Sequence, residues 1–131
     1  RRTLIGMLGG VVMLPACAMT NKGLNMEEID GPLYGLIGQM KCLPGKRAEL
    51  ISILSSGKTA MPGCVQYVIA EDAADPDAIW ITEIWTKAEY HQQSLQLPTV
   101  QAAIAKGRPS ITEFGVRAET RPISGDGIGA L

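Results

Sequence analysis

Residues 81–94 read ITEIWTKAEYHQQS, and this stretch predicts a strand that runs directly into a helix. Glu83 and Trp85 are two residues apart, so in a strand their side chains lie on the same face of the sheet. Thr86 and Glu89 match the Thr-x-x-Glu capping box, which predicts that the helix starts here. The stretch thereby fixes one strand–helix junction, from which the rest of the chain can be placed.

The segments on either side of this junction predict the order β-α-β-β-α-β. Turns rich in Pro, Gly and Asp separate them, and Pro98 either ends the second helix or begins a new one. This order is the ferredoxin-like split βαβ motif, an α+β fold with an antiparallel sheet of strand order 4-1-3-2 and helices on one face. The predicted strands are 32–42, 64–71, 78–85 and 110–120, and the predicted helices are 46–56 and 86–106.

The composition limits both the number of domains and the class of partner. A chain of 131 residues with 46% hydrophobic and 19% charged residues fits one globular domain, which we place at 32–120, followed by a flexible tail at 121–131. The net charge is −1 and no basic stripe occurs, which argues against nucleic-acid binding. One His and three Cys without a CxxC pair predict no metal site.

The first residues have the composition of an export signal rather than of a folded element. Residues 1–18 place two arginines before an apolar run and a cluster of small residues, the order of a bacterial secretory signal, and the arginine pair also resembles a twin-arginine signal. The letters LPAC resemble a lipobox that would lipidate Cys17, and cleavage after Ala18 is the alternative. A buried N-terminal helix is a further alternative, which three glycines disfavour. We therefore expect an exported protein, periplasmic or anchored to a membrane through Cys17, with residues 19–31 as a tether.

Both faces of the predicted sheet carry apolar side chains. In the strand 78–85, Trp80 and Ile84 point away from the face that carries Trp85. One layer of helices covers one face only, and the other would be left as a large apolar patch. We therefore predict a homodimer that packs sheet to sheet through the helix-free face. The alternative is that Trp80 is a single exposed aromatic residue, which is common.

The topology also predicts that two of the cysteines stay unpaired. Cys42 ends the first strand and Cys64 begins the second, and these strands run parallel in the predicted motif. The two thiols would then lie at opposite ends of the sheet. Because a disulfide needs Cα atoms within about 7 Å, we predict no bond between them.

Four pieces of the sequence form a recognisable series. They are, in this order, KCLPGKRAEL at 41–50, MPGCVQY at 61–67, DPDAIWITEIW at 75–85 and AEYHQQSLQLPTVQ at 88–101. Together they resemble the antibiotic biosynthesis monooxygenase domain family. The resemblance covers about residues 33–119 and implies a dimeric α/β barrel. It also implies cofactor-independent oxidation of a quinol- or anthrone-like aromatic substrate by O2.

The predicted fold collects five candidate site residues between the sheet and the helices. Glu83 and Trp85 share one strand face, and His91 lies in the second turn of the following helix with Ser94 on the same side. Tyr67 comes from the neighbouring strand. We predict His91 as the catalytic base, Glu83 as its orienting group or the base itself, and Trp85, Tyr67 and Ser94 as substrate-binding residues. An apolar space with a few convergent polar groups is the usual ligand site.

The alternatives to catalysis remain open at this stage. The chain has no GxGxxG loop and no set of two His and a carboxylate, so we predict no bound cofactor. Oxygenation then requires that the substrate supplies the electrons. Each candidate residue can equally have a structural role, and a non-catalytic binder of an aromatic or quinone-like molecule is the main alternative. Haem binding is a weaker one, because the segment TVQAAIAKG at 99–107 lacks a histidine for the iron.

Overall fold

The structure is a computed structural model that describes residues 31–58 and 61–130. The predicted export signal at 1–18, including Cys17, and the predicted tether up to residue 30 lie outside the described residues. No helix within the described ranges is long and apolar enough to cross a membrane.

The described residues form the predicted order of elements, except that the predicted helix 86–106 is two helices, the second of which begins at Pro98. The other predicted boundaries differ by no more than two residues. A 3-10 turn, Arg108–Ser110, leads into the fourth strand. The elements are β1 Tyr34–Cys42, α1 Arg47–Ser56, β2 Cys64–Glu71, β3 Ala78–Trp85, α2 Ala88–Ser94, α3 Pro98–Gly107, β4 Ile111–Thr120, β5 Ser124–Gly125 and β6 Gly129–Ala130.

The first four strands form one antiparallel sheet in the order β2-β3-β1-β4, which confirms the predicted topology. Helices α1 and α2 contact β3, and α1 also packs on α3, so the helices form one layer over one face. Glu83 of β3 lies between Leu36 of β1 and Tyr67 of β2. Since paired residues of adjacent strands share a face, all three side chains point toward the helices.

The hydrophobic core lies between this face and α1. Leu50 of α1 and Ile79 of β3 are fully buried, and Ile81 and Cys42 complete the central cluster. Burying a side chain of this size contributes roughly 1.5–3 kcal/mol to the free energy of folding. The core therefore fixes α1 over the centre of the sheet, and the space toward α2 is left for the site described below.

The predicted capping box at the start of α2 is wrong. The N-cap residue is Lys87, and no side chain caps the helix there. Thr86 instead is buried, and its backbone N–H donates a hydrogen bond to the carbonyl of Gly63 at 2.9 Å. Pairing with the turn before β2 thus keeps Thr86 outside the helix, and Lys87 has extended backbone, so the helix begins at Ala88.

The C-terminal segment, predicted as a flexible tail, contains a short hairpin. Strands β5 and β6 pair with each other, and Ile128 between them is buried. Gln66 of β2 donates a side-chain hydrogen bond to the carbonyl of Asp126 at 2.7 Å. Gly127, with φ +83°, supplies the left-handed residue that the tight turn requires. This segment therefore contacts the edge of the sheet.

Both cysteines of the described sheet are free thiols, as predicted. The Cys42 thiol is buried and donates to the carbonyl of Asp77 at 3.2 Å. Cys64 is partly buried, and a bulge just after it turns its side chain to the helix-covered face, opposite Trp85.

Candidate functional site

Strand β3 presents an acid and an indole side by side on the helix-covered face. Trp85 is fully buried, and its Nε1–H donates a hydrogen bond to Oε2 of Glu83 at 2.8 Å. The Glu83 side chain is only 14% exposed. The period of the strand brings both groups to one face, and the hydrogen bond fixes the carboxylate within an apolar wall.

Helix α2 places the imidazole of His91 against this pair. Nε2 of His91 lies 3.7 Å from Oε2 of Glu83, and the His91 side chain is 12% exposed. This separation is longer than a hydrogen bond, so the two groups interact as neighbouring charges when the imidazole is protonated. The ring meets Trp85 edge-on at 5.5 Å and the ring of Tyr34 at 5.9 Å. These two aromatic contacts hold the plane of the imidazole.

The second nitrogen of His91 is buried without a hydrogen-bond partner among the described residues. A buried polar atom that lacks a partner costs about 1–3 kcal/mol, so such atoms are uncommon outside functional sites. The imidazole is therefore held by packing and by one neighbouring carboxylate.

Ser94 reaches the same space, but its hydroxyl is already engaged. Its Oγ–H donates to the backbone carbonyl of His91 at 2.7 Å, and the residue is buried. The hydrogen bond closes the last turn of α2. Ser94 therefore contributes a small, satisfied side chain to the wall.

Two further protic groups near Glu83 are kept in their neutral forms. Burial, and to a lesser extent the charge of Glu83, raises the pKa of Tyr67 well above its ordinary value. The same two causes raise the pKa of the Cys64 thiol to about 11. A thiol with such a pKa is a poor nucleophile at neutral pH. Glu83 and His91 thus lie beside a phenol and a thiol that both stay uncharged at neutral pH.

These residues line a cavity of about 140 Å³ between the sheet and the helices. An apolar cavity of about 150 Å³ is known to hold benzene, so the volume suits one aromatic ring. Lys58, Leu95 and Ile104 line the cavity and are exposed, which places its mouth at the ends of the helices. The structure brings together Glu83, Trp85, Tyr67, His91 and Ser94, the five described residues proposed from the sequence.

Known proteins of the same shape share this arrangement of elements. The family model of antibiotic biosynthesis monooxygenases matches residues 33–106. The chain belongs to the antibiotic biosynthesis monooxygenase family. A Chloroflexus aurantiacus J-10-fl protein assigned to the same monooxygenases is 56% identical, with a TM-score of 0.71 over 74% of this chain and 99% of that one.

More distant members of the antibiotic biosynthesis monooxygenase family share the fold alone. A Nitrosomonas europaea protein assigned as an antibiotic biosynthesis monooxygenase is 14% identical, with a TM-score of 0.61, over 71% of this chain and 90% of that one. A Bordetella bronchiseptica protein with the same assignment is 12% identical, with a TM-score of 0.62, over 72% of this chain and 100% of that one. No curated protein matches this chain.

The set proposed from the sequence lacks Tyr34 and several lining residues of the cavity, among them Met40. Tyr34 lies directly opposite Trp85 in the sheet and packs on His91. Met40 lines the cavity from the centre of β1. The sequence predicted that β1 and β3 pair in antiparallel order, but it did not give the register that aligns Tyr34 with Trp85. In residues 31–58 and 61–130, no group of three or more His, Cys, Asp or Glu side chains is placed to hold a metal ion.

Proposed function

We propose that this protein is a cofactor-independent monooxygenase that oxidises a quinol- or anthrone-like aromatic substrate with O2. The observation that carries the proposal is the trio of Glu83, Trp85 and His91 inside a buried apolar cavity. Trp85 holds the carboxylate at 2.8 Å, and His91 lies 3.7 Å from the same oxygen. Such a cavity shelters an aromatic ring from bulk water and places one imidazole within it as a candidate base.

The reaction uses electrons from the substrate. His91 takes the proton of a phenolic hydroxyl, and the resulting electron-rich anion passes electrons to O2. A carbon of the ring then forms a bond to oxygen, and the hydroperoxide loses water. One oxygen atom stays in the product as a carbonyl and the other leaves as H2O, so a quinol plus O2 gives a hydroxyquinone plus water. No external reductant enters this balance.

Glu83 acts on the base rather than on the substrate in this proposal. Its carboxylate lies 3.7 Å from Nε2 and attracts the positive charge that forms when His91 accepts the proton. Trp85 and Tyr67 bound the space for the aromatic ring, and Ser94 completes the wall.

Oxygen uptake tests the proposal directly. The protein without residues 1–18 is mixed with menadiol under air, and the rate is compared with the spontaneous rate. Replacing a general base typically lowers the rate by about 100-fold or more, which we expect for His91→Ala. Gln92→Ala is the matched control, because Gln92 is exposed on the same helix. A rate with His91→Ala equal to that of the unchanged protein would refute the role of the imidazole.

A non-catalytic binder of an aromatic or quinone-like molecule is the second candidate. The 3.7 Å separation between His91 and Glu83 and the hydroxyl of Ser94, bonded to the backbone, favour it, since neither forms a ready proton path. The two candidates differ in turnover. Saturable binding of menadione with no oxygen uptake from menadiol would select the binder. A haem ligand receives less support, because the cavity has the size of a single ring.

We also propose the homodimer through the helix-free face. Val68 is 49% exposed on that face, and Trp80 lies beside it with its indole N–H bonded to Asp72 at 2.7 Å. Apolar surface of this kind is typical of an interface. Sedimentation equilibrium tests it, with Val68→Arg expected to weaken the dimer and Thr99→Arg, exposed on α3, expected not to. Monomer alone at micromolar concentration would refute the dimer.

Export is the remaining part of the proposal. The order of charges and small residues in 1–18 supports it. Mass spectrometry of the mature protein from a bacterial host distinguishes the routes. A lipid mass on Cys17 indicates anchoring to the membrane, a new N-terminus after Ala18 indicates release, and an uncut N-terminus argues against both.

A further inference from the structure

A second recess adjoins the candidate site on the same side of the sheet. It has a volume of about 110 Å³, and its lining residues come from β1, β3 and β4 and from no helix. Three residues line both spaces, namely Met40, Ile81 and Glu83. The recess is therefore separated from the cavity only by side chains that the two share.

The sheet provides a continuous floor between the two spaces. Gly38 of β1 is the register partner of Ile81 in β3 and of Arg117 in β4. Neighbouring strands lie about 4.8 Å apart, so a step from Ile81 to Gly38 is close to the width of an aromatic ring. A ligand in the cavity therefore reaches the recess if it is longer by about the spacing between two neighbouring strands.

The recess exists because Gly38 has no side chain. A Cβ placed on Gly38 would meet only the carbonyl oxygen of Val116, at 4.0 Å. Gly38 does not have the positive φ that makes glycine necessary at Gly63 or Gly45. The backbone would accept another residue here, and the missing side chain is what leaves space above the strand.

The walls of the recess are mainly apolar. Phe114 and Val116 of β4 are 57% and 65% exposed, and Leu36 closes the other side. Met40 stands between the recess and the cavity. Methionine is unbranched and adapts its shape readily, so it can move aside for a ligand that spans both spaces.

We propose that the recess over Gly38 is an extension subsite that binds an apolar substituent on the substrate's aromatic ring. The substituent is either a fused ring or an alkyl chain, since both match these walls. This inference rests on the proposed function because it takes the cavity as the place of the reacting ring. The recess and the cavity share wall residues, so the occupant of the recess is expected to be part of the molecule bound in the cavity.

Binding without oxygen tests the subsite separately from turnover. Isothermal titration under anaerobic conditions compares hydroquinone, naphthohydroquinone and hexylhydroquinone. One extra apolar group in a matching pocket typically changes affinity by about ten-fold or more, and we expect this gain for at least one of the larger probes. The probe that gains affinity identifies the substituent as a ring or a chain.

Gly38→Val fills the recess and should remove that gain while hydroquinone binds within about two-fold of its original affinity. Gly38→Ala should have a smaller effect. Ala102→Val is the matched control, because Ala102 is exposed on α3 and lines neither the cavity nor the recess. Sedimentation of each variant shows whether the fold and assembly are kept.

Two results would overturn the subsite. Equal affinities for the three probes would show that the recess adds nothing. A change in dimer dissociation by Gly38→Val, with all three affinities unchanged, would show that the recess contacts a partner chain. If the predicted affinities hold and oxygen uptake is absent, the subsite stands and the monooxygenase proposal fails.

Discussion

The Nε1–H of Trp85 donates to Oε2 of Glu83 at 2.8 Å, and the same oxygen lies 3.7 Å from Nε2 of His91. The acid is thus oriented by the residue two positions later in its own strand. The imidazole comes from the next helix and is placed by aromatic packing. The orientation of the carboxylate therefore depends on the strand alone, whereas the position of the base depends on how α2 packs.

Trp85→Phe tests the orienting hydrogen bond. The change removes the only indole donor of this carboxylate among the described residues and part of a fully buried side chain. A hydrogen bond to a charged group contributes about 1.5–3 kcal/mol, and the lost volume adds to this cost. We expect the free energy of unfolding in urea to fall by about 2–4 kcal/mol. A loss below about 0.5 kcal/mol would contradict the hydrogen bond.

Two substitutions at Glu83 separate its charge from its hydrogen bond. Glu83→Gln keeps an oxygen that accepts from Trp85, so we expect stability within about 1 kcal/mol of the original and a drop in oxygen uptake of about ten-fold or more. Glu83→Ala leaves the buried indole N–H unpaired and should also lower stability by about 1–3 kcal/mol. Urea unfolding and oxygen uptake are measured on both. Equal activity of Glu83→Gln and the original protein would exclude a role for the charge.

Gly63, in the turn before β2, is matched by Gly45, in the turn before α1. Both have left-handed backbone, with φ +79° and +75°. A Cβ on Gly63 would lie 2.5 Å from Cγ of Tyr90, whereas a Cβ on Gly45 meets nothing within 4 Å. We expect Gly45→Ala to cost about 1–2 kcal/mol, from the backbone alone. Gly63→Ala should cost clearly more in a thermal or urea unfolding experiment, and equal costs would rule out the contact with Tyr90.

The carboxylate of Asp72 makes the free energy of unfolding depend on pH in the acidic range. Its pKa is held far below its usual range by hydrogen bonds from the backbone N–H groups of Asp75 and Ala74, and then from the side chains of Trp80 and Gln39. A lowered pKa in the folded state gives stability that is present above the unfolded value of about 3.9 and is lost as the pH falls below it. We expect Asp72→Asn to flatten this loss between about pH 4 and 2, measured by urea unfolding. Parallel curves for both proteins would contradict the prediction.

Local patterns were sufficient for the element order and for the faces of β3. Strand β3 alternates with a period of two, so the side chains of Glu83 and Trp85 had to share a face wherever the strand lay. Turns with Pro and Gly at 43–45 and 61–63 separated the neighbouring elements. These features are set by backbone geometry within a few residues, which is why they could be predicted.

Three features that depend on contacts between distant residues were not predicted. The Thr-x-x-Glu pattern failed as a helix start because Thr86 pairs with Gly63, more than 20 residues earlier. Tyr34 packs on His91 only because β1 and β3 align it with Trp85. The hairpin near Ile128 was missed for the same reason, since its contact with Gln66 lies far away in the chain.

The sequence by itself determined the β-α-β-β-α-β order, because the order follows from periodicity and turn chemistry that act locally. The strand arrangement followed from the match of that order to the split βαβ motif, and the family resemblance came from the four quoted stretches. The tertiary structure alone decided the 3.7 Å between His91 and Glu83, the volume of the cavity and the recess over Gly38. Distances and empty volumes arise from the register of strands and the packing of helices. Those depend on all the elements at once, and no single stretch of residues encodes them.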